Sequence, residues 1–428
     1  MKKLNIAIVG LGNIGSYLYR YLKKNKKILS KKNNCIPNII YVSARSRSKK
    51  RGIKINKKVW LNNYLDSTKN KNVDLIVELI GGAEGAAKKL VFSALKNKKH
   101  VVTANKALIA KYGDQLSKIA EKNKVNLEFE ASVCGGVPII RLLKEGLIAN
   151  KINKIYGILN GTSNYILSSM DKYNKNFTDV LSDAKKLGYA ESNPSADLNG
   201  DDVSAKLKIL SSLCFNSFLN NNIHVEGIKN IDREDIENAN KLGYKIKLLG
   251  FAELINNNIY QRVHPTLIKK SSYVAGIDGV LNAIIINGIP IGQSIIQGEG
   301  AGPAATTSAL VSDISSILRG NIKFPFSISN KERRKLKFKE IFDKSFSAYL
   351  RFEVVDRPGV LSHITKIFSK NNVSIKRLIQ NPKKNKGSSS IIVITHESKD
   401  KSLNKIINTV NKNNYVIKKS KLIRIDDN

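Results

Sequence analysis

Residues 4–24, LNIAIVGLGNIGSYLYRYLKK, decide how the chain reads. LNIAIV (4–9) is a short apolar run rich in β-branched residues, and SYLYRYLKK (16–24) has the spacing of an amphipathic helix. Between them, GLGNIG (10–15) fits the pattern G-x-G-x-x-G. Gly10 allows the tight turn, Gly12 lets a pyrophosphate approach the backbone, and Gly15 allows close packing of helix on strand. The helix start then offers free N–H groups to phosphate. Glycine turns also serve plain α/β packing. Placed at residue 10 of a βαβ chain, this one is expected to bind a dinucleotide through Gly10, Gly12, Asn13, Ile14 and Gly15.

The same rhythm continues outward. IPNIIYVSA (36–44), DLIVELI (74–80), HVVTANK (100–106) and NLEFEAS (126–132) read as strands. GAAKKLVFSALKNKK (85–99) and GDQLSKIAEKNK (113–124) read as helices between them. Alternating strands and helices predict a parallel sheet, so residues 1–130 are expected to form a Rossmann domain. The opening MKKLNIAIVGLG has the look of a signal peptide, but its apolar run dissolves into glycines with no small-residue cleavage site. A buried first strand and a cytoplasmic protein are the expectation.

Cofactor choice is read at the end of the second strand. An NAD site places an acid there for the ribose hydroxyl. Here the stretch is YVSARSRSKKR (41–51), with no acid. Arg45 is the natural partner of a 2′-phosphate, with Arg47, Lys49 and Lys50 near it. NADP is favoured, with NAD as the alternative and a solvated basic cluster as the reading without a ligand.

From about residue 135 the pattern changes. GGVPIIRLLKEGLI reads as a turn leading to a helix, and INKIYGILN (152–160) as a strand. NGTSNYIL (160–167) reads as a turn-rich element. FTDVLSDAKKLGY (177–189) and DDVSAKLKILSSLCF (201–215) are helices with Asp near their starts, which suits the helix dipole. Strands fill 243–300, and the small-residue helix 302–318 is expected to return to the nucleotide domain. Residues 131–320 thus read as an α+β region, to which the resemblance given below assigns catalysis and dimerisation. The basic stretch 321–346 is assigned as a linker. Residues 347–428 give β-α-β-β-α-β, a ferredoxin-like unit.

Composition excludes several classes. Of 428 residues, 42% are hydrophobic and 25% charged, as in ordinary globular proteins. Three cysteines far apart, Cys35, Cys134 and Cys214, do not make a disulfide scaffold. No run approaches the ~18 apolar residues of a membrane span. The net charge of +39 suggests nucleic acid, but the basic residues are scattered and travel with asparagine. Without a recognition helix or an interleaved aromatic patch, a solvated basic surface is the better reading.

Polar blocks carry the chemistry. In VVTANKALIA (101–110), Lys106 follows a strand, where open α/β sheets place ligand groups. KLGYAESNPSADLNGDDVSAKLKIL (186–210) carries Glu191, Asp197, Asp201, Asp202 and Lys206 around a loop-to-helix junction. Asp202 and Lys206 are four apart and share a helix face; the bland alternative is an exposed ion pair. Hydride transfer to an aldehyde creates an alkoxide that must be stabilised and protonated. None of the five histidines sits in a telling context. A lysine can be this acid, and burial or a second cation lowers its pKa from ~10.4 towards neutrality. Lys106 and Lys206 are candidates for such a pair, with Glu191 and Asp197 holding a substrate ammonium.

Seven blocks in this order resemble homoserine dehydrogenase: G10LGNIG15, ELIGG (78–82), HVVTANKALIA (100–110), FEASVCGGVPII (129–140), LNGTSNYIL (159–167), GYAESNPSADLNGDDVSAKLKIL (188–210) and GEGAGPAATTSALVSDI (298–314). The block at 188–210 is the most specific. Residues 347–428 look like an ACT domain, through VVDRPGVLSHITKIFSKNNVSIKRLIQ. No kinase-like segment precedes residue 1, so the resemblance is to the monofunctional form. It implies NAD(P)H-dependent reduction of L-aspartate 4-semialdehyde to L-homoserine, on the branch to threonine and methionine. It further implies Lys206 as the acid, Lys106 near nicotinamide and substrate, and Glu191 on the substrate amino group, supported by Asp197 and Asp202. Thr103 and Gly302 would contact cofactor. Glu130, with the carbonyls of Val133, Gly135 and Val137, would hold a monovalent cation, usually sodium. Threonine would act as feedback effector at the DRPGV turn (356–360), and the chain would form a homodimer or tetramer. Asn13-Ile14 departs from the common turn, and Cys134 reads as a small buried residue. Two rival readings remain. One is a different nicotinamide dehydrogenase acting on another amino acid or its aldehyde. The other is a non-catalytic amino-acid sensor that binds nucleotide without turnover.

Overall fold

The computed structural model describes residues 1–219, 222–383 and 387–426. Five parallel strands form the first sheet: β1 (Lys2–Val9), β2 (Cys35–Ser43), β3 (Leu75–Glu78), β4 (His100–Thr103) and β5 (Leu127–Glu128). Their order is β2-β1-β3-β4-β5. In a sheet wound this way, chain direction reverses at β1/β3, and the crevice beyond the carboxyl ends there is the ligand position. Helices α1 (Asn13–Lys24), α2 (Ala86–Lys96) and α3 (Lys106–Lys122) cover it. On α1 the buried Gly15, Leu18, Tyr19 and Leu22 recur at helical spacing.

The second layer has strands β6 (Lys151–Ile158), β7 (Tyr244–Ile255), β8 (Asn258–Lys269), β9 (Leu281–Ile289) and β10 (Gly292–Glu299). Its helices are α4 (Gly161–Tyr173), α5 (Phe177–Lys186), α6 (Asp201–Cys214), α7 (Arg233–Lys241) and α8 (Pro303–Leu318). NGTSNYIL is therefore not a turn-rich element but the start of α4. Asn160 caps that helix by accepting from the Ser163 amide at 2.8 Å. Apolar Ile166, Leu167 and Met170 then bury its inner face. The expected helix after GGVPII is shorter than its pattern suggests: Ile139–Arg141 runs straight into a single wide turn, Leu142–Gly146. As expected, α8 returns to the nucleotide domain. Its Leu310, Ile314 and Ile317 share a core with Ile6, Ile8 and Leu18.

The C-terminal unit is β11 (Ser345–Val355), α9 (Val360–Lys370), β12 (Ile375–Pro382), β13 (Ser388–Thr395), α10 (Asp400–Val410) and β14 (Val416–Asp426). Its strands are antiparallel in the order β14-β11-β13-β12. The second and third units share one sheet, β10-β9-β6-β7-β8-β14-β11-β13-β12. They meet along the outer edge of β8, which is covered in three pieces, all parallel to it. Lys337–Lys339 pairs with 258–260, His224–Val225 with 262–263, and Arg424–Asp426 with 266–268.

The segment 321–346 thus does more than connect. Its Phe326 is fully buried, and Arg333, 5% exposed, reaches Asp114 on α3 at 2.7 Å. A second buried guanidinium, Arg351 on β11, meets Asp235 (2.8 Å) and Glu234 (2.7 Å) at the start of α7.

Candidate active site

The glycine turn sits where the strand order reverses. Gly10 has φ +105°, and a Cβ there would lie 2.3 Å from the Leu79 carbonyl oxygen on the chain leaving β3. A Cβ at Gly15 would lie 2.0 Å from the Gly10 carbonyl oxygen. Both glycines are demanded by the protein itself. Gly12 is not, because nothing lies within 4 Å of its Cβ position. It is the N-cap of α1 without any side-chain cap, so open space faces uncapped amides. That cradle fits a pyrophosphate. Asn13 is exposed beside it and Ile14 half-buried.

Arg45 is exposed. A concavity of about 200 Å³ beyond β2 is lined instead by Arg47, Lys49, Lys50, Arg51 and Trp60. Arg51 also ties this loop to the glycine turn, donating from Nε to the Leu11 carbonyl at 2.9 Å. Nothing in its sequence context set it apart from its basic neighbours. Gly302 caps α8 with φ +109° and open space at its Cβ position. Thr103, at the end of β4, is buried, and its hydroxyl donates to Glu78 at 2.6 Å. Glu78 also accepts the Ile80 and Gly81 amides, so it holds the loop after β3 in place. Asn105 caps α3 and donates to the Gly82 carbonyl at 2.7 Å. Thr103 therefore works through this loop, and Glu78 and Asn105 are residues that the sequence did not single out.

Lys106, Asp202 and Lys206 come together. Lys106 Nζ is 2.7 Å from Asp202 Oδ1, and Lys206 Nζ is 2.8 Å from Asp202 Oδ2. Lys206 also donates to the Leu159 carbonyl at 2.6 Å. An ammonium has three donors; two are used within the described residues, leaving one. Asn160 donates from one amide to both Asp197 and Asp202, each at 2.8 Å. Its role was masked in the sequence by a turn-like neighbourhood. Asn282 completes the wall, donating to the Leu159 carbonyl and to Cys134 Sγ, each at 3.1 Å. Cys134 is buried, as expected, and burial pushes its thiol up.

Electrostatics here reverse one expectation. Burial works to lower the Lys206 ammonium, but Asp202 outweighs it, and the net direction is up. Burial alone would raise Asp202; Lys206 and Lys106 overcome that and hold it below the usual carboxylate range. Lys206 is a buried, firmly charged donor rather than a lysine tuned towards neutrality. Burial, and then the neighbouring Asp202, push Asp197 up. Glu191 stays outside this network, on the exposed loop before the short helix Ser195–Asn199. The bland reading of Asp202–Lys206 as an exposed helix pair fails, since both are buried.

Glu130 is buried, and its oxygens accept the Ile140 amide at 2.9 Å and the Arg141 amide at 2.6 Å. Burial pushes its carboxyl up to about 7, against the pull of those two amides. It precedes the loop of Val133, Gly135 and Val137 in the chain, whose Cys134 adopts φ +51°. The Val137 carbonyl already accepts from Ile139 at 2.7 Å. Among the described residues no group of three or more His, Cys, Asp or Glu could hold a metal ion. What suits a cation here is the single buried Glu130 carboxyl.

Three family models match in chain order. They are the NAD binding domain of homoserine dehydrogenase at 10–130, homoserine dehydrogenase at 138–315 and the ACT domain at 348–414. The homoserine dehydrogenase of Neisseria gonorrhoeae is 38% identical over all of this chain and 99% of its own length. That of Helicobacter pylori is 38% identical over the whole of both chains. The crystal structure of a homoserine dehydrogenase from Thiobacillus denitrificans superposes with a TM-score of 0.92 at 36% identity, covering 100% of this chain and 99% of that one. A hyperthermophilic archaeal homoserine dehydrogenase in complex with NADPH matches with a TM-score of 0.64 at 25% identity, over 73% of this chain and 97% of its own.

Proposed function

From the premise that this chain belongs to the homoserine dehydrogenase family along its whole length, we propose how its own residues carry the reaction. The activity is the oxidoreductase step between L-aspartate 4-semialdehyde and L-homoserine. A nicotinamide dinucleotide supplies the hydride. The bridge from Lys106 through Asp202 to Lys206 carries the assignment of residues.

Lys206 is the acid. Its unused N–H points a fixed positive charge at the carbonyl oxygen as negative charge develops there, and its proton completes the alcohol. Asp202 keeps that proton on the nitrogen until it is needed. Lys106, 41% exposed, links the buried pair to solvent and stands at the start of α3, where a nicotinamide would lie. Glu191 receives the substrate ammonium, because Asp197 and Asp202 are tied down by Asn160.

Gly10, Gly12, Asn13, Ile14 and Gly15 take the pyrophosphate and Gly302 borders the cofactor, whereas Thr103, expected to touch cofactor, is fully buried on Glu78 and acts through the loop after β3. The basic loop 45–51, with no acid at the end of β2, favours NADP over NAD. A monovalent cation, sodium being the family's usual choice, would be held by Glu130 and the carbonyls of Val133, Gly135 and Val137; the buried, under-compensated Glu130 carboxyl supports this. Threonine feedback would act at the Asp356–Val360 turn, where Gly359 starts α9 with φ +88° and open space beside it. A homodimer or tetramer is supported by the edge strand β10, with Ile295 exposed on it and Ile289 and Ile291 exposed at the hairpin that precedes it. No described helix is long and apolar enough to cross a membrane; the location that goes with this metabolism is the cytoplasm.

The test is NADPH oxidation with L-aspartate 4-semialdehyde, repeated with NADH, in wild type and Lys206→Ala. Turnover in wild type that falls by ~10²–10⁴ in the variant, with NADPH binding retained, is the expected result. Equal turnover in both would remove Lys206 from the reaction, and faster oxidation of NADH would reverse the cofactor choice.

A further inference from the structure

The Lys106–Asp202 contact joins two units built on different sheets. Lys106 opens α3, which covers the first sheet, and Asp202 lies in the first turn of α6, which packs on the second. Lys106 is half in water, and an ion pair that meets water holds its own geometry weakly. The spacing of α3 and α6 therefore has to be fixed elsewhere. Arg333, whose side chain is shut off from solvent, reaches both helices. Its Nη2 donates to Asp114 on α3 at 2.7 Å and to Ser212 in the last turn of α6 at 2.9 Å. The Ser217 carbonyl, just beyond α6, shares the same nitrogen at 2.8 Å.

The chain on either side of Arg333 is fitted to the same two helices. Asn330 donates its backbone amide to Glu121 at 3.1 Å and its side chain to Ser117 at 2.9 Å. Asp114, Ser117 and Glu121 recur at helical spacing, so these contacts share one face of α3. Phe326 is buried against Gly113, where a Cβ would come 2.9 Å from its ring. On the α6 side, the Arg334 amide donates to the Asn216 carbonyl at 2.9 Å and its guanidinium to the Phe215 carbonyl at 3.0 Å. The rings of Phe218 and Phe326 lie 4.7 and 4.2 Å from the Arg333 guanidinium. A guanidinium is a rigid planar fork, so it fixes the separation of its partners. Lys106 stands about 12 Å along α3 from Asp114, and a swing of about 5° about that point would carry it about 1 Å away.

We propose that Arg333 is a positioning residue for the reaction. By clasping α3 to α6 it holds Lys106 on Asp202, and so keeps the two lysines at the spacing that turnover requires. This role rests on the catalytic reading of Lys106. Arg333 acts only through the two helices.

The experiment is a double-mutant cycle on the full chain, read by NADPH-dependent reduction of L-aspartate 4-semialdehyde, with NADPH affinity and urea unfolding measured beside it. The variants are Arg333→Gln, Lys106→Met and the two combined. Arg333→Gln should lower kcat about 10–100-fold, the effect of a displacement of about 1 Å, with the Kd for NADPH within about twofold of wild type. In the Lys106→Met background the same change should lower kcat by less than about twofold, because the group it misplaces is already gone. An arginine that only stabilises the fold would lower unfolding midpoints in both backgrounds and leave kcat of the folded enzyme alone. Unchanged kcat in Arg333→Gln, or a loss that multiplies with that of Lys106→Met, would overturn the role. Wild-type turnover in Lys106→Met would instead refute the catalytic reading on which the role rests. Should Arg333→Gln fail to fold, Asp114→Asn, which loosens the α3 arm alone, carries the same cycle.

Discussion

At the scale of single residues, Asp202 sets the character of the site. It holds two ammonium groups, one on each oxygen, and is itself fixed by Asn160. In Asp202→Asn, burial acts on Lys206 without its main opponent and its pKa falls. Lys206 donates only while protonated, so the alkaline limb of kcat for aldehyde reduction should move to lower pH. A pH–rate profile from pH 6 to 10 checks this; an unmoved limb would mean that Asp202 does not set the Lys206 proton. The four-residue spacing of Asp202 and Lys206 made their shared face legible in the sequence. Lys106, nearly a hundred residues away, became part of the site only through the fold. Asn160 stayed hidden because Asn-Gly-Thr-Ser has the composition of a turn, and only the packing of the following helix distinguishes a cap from a loop.

At the scale of the element, the glycine turn separates two kinds of requirement. Gly15→Ala places a methyl group 2.0 Å from the Gly10 carbonyl oxygen, so it should weaken both folding and NADPH binding. Gly12→Ala meets no protein atom within 4 Å. It should leave thermal stability within ~1 kcal/mol of wild type and still weaken NADPH binding, because the methyl occupies the approach of the pyrophosphate. Fluorescence titration with NADPH beside thermal unfolding separates the two. The roles of these three glycines were readable from the motif, since their spacing encodes local backbone geometry. The tether from Arg51 to Leu11 was not, since it joins two loops that only the sheet brings together.

At the scale of the whole molecule, the catalytic and C-terminal units are bonded by a sheet and by buried ions. Arg351 is 1% exposed and faces Asp235, which is fully buried. Arg351→Met leaves that carboxylate with Lys421, at 3.3 Å, as its one remaining cation among the described residues and should cost roughly 3 kcal/mol, measured by urea unfolding. Adding Asp235→Asn should restore part of the loss; no recovery would mean that the arginine stabilises by packing alone. The three-part architecture was legible from periodicity, because strands and helices are written locally. The shared sheet was not. Its joining rungs pair residues 266–268 with 424–426, and no local pattern announces such a contact. The segment 321–346 looked connective for the same reason, its buried Phe326 and Arg333 being anchored by distant partners.

The three-piece cover on β8 bears on how the protein is made. A row of unpaired backbone groups invites pairing with another chain, and synthesis delivers the N-terminal parts first. The last rungs of this edge wait for Arg424–Asp426, which are made long after residues 266–268 that they cover. A premature stop at codon 424 would leave the seam unsealed in every nascent copy. Such a truncation should lower the soluble yield while the full-length product stays in solution, a lesion of biogenesis rather than of control.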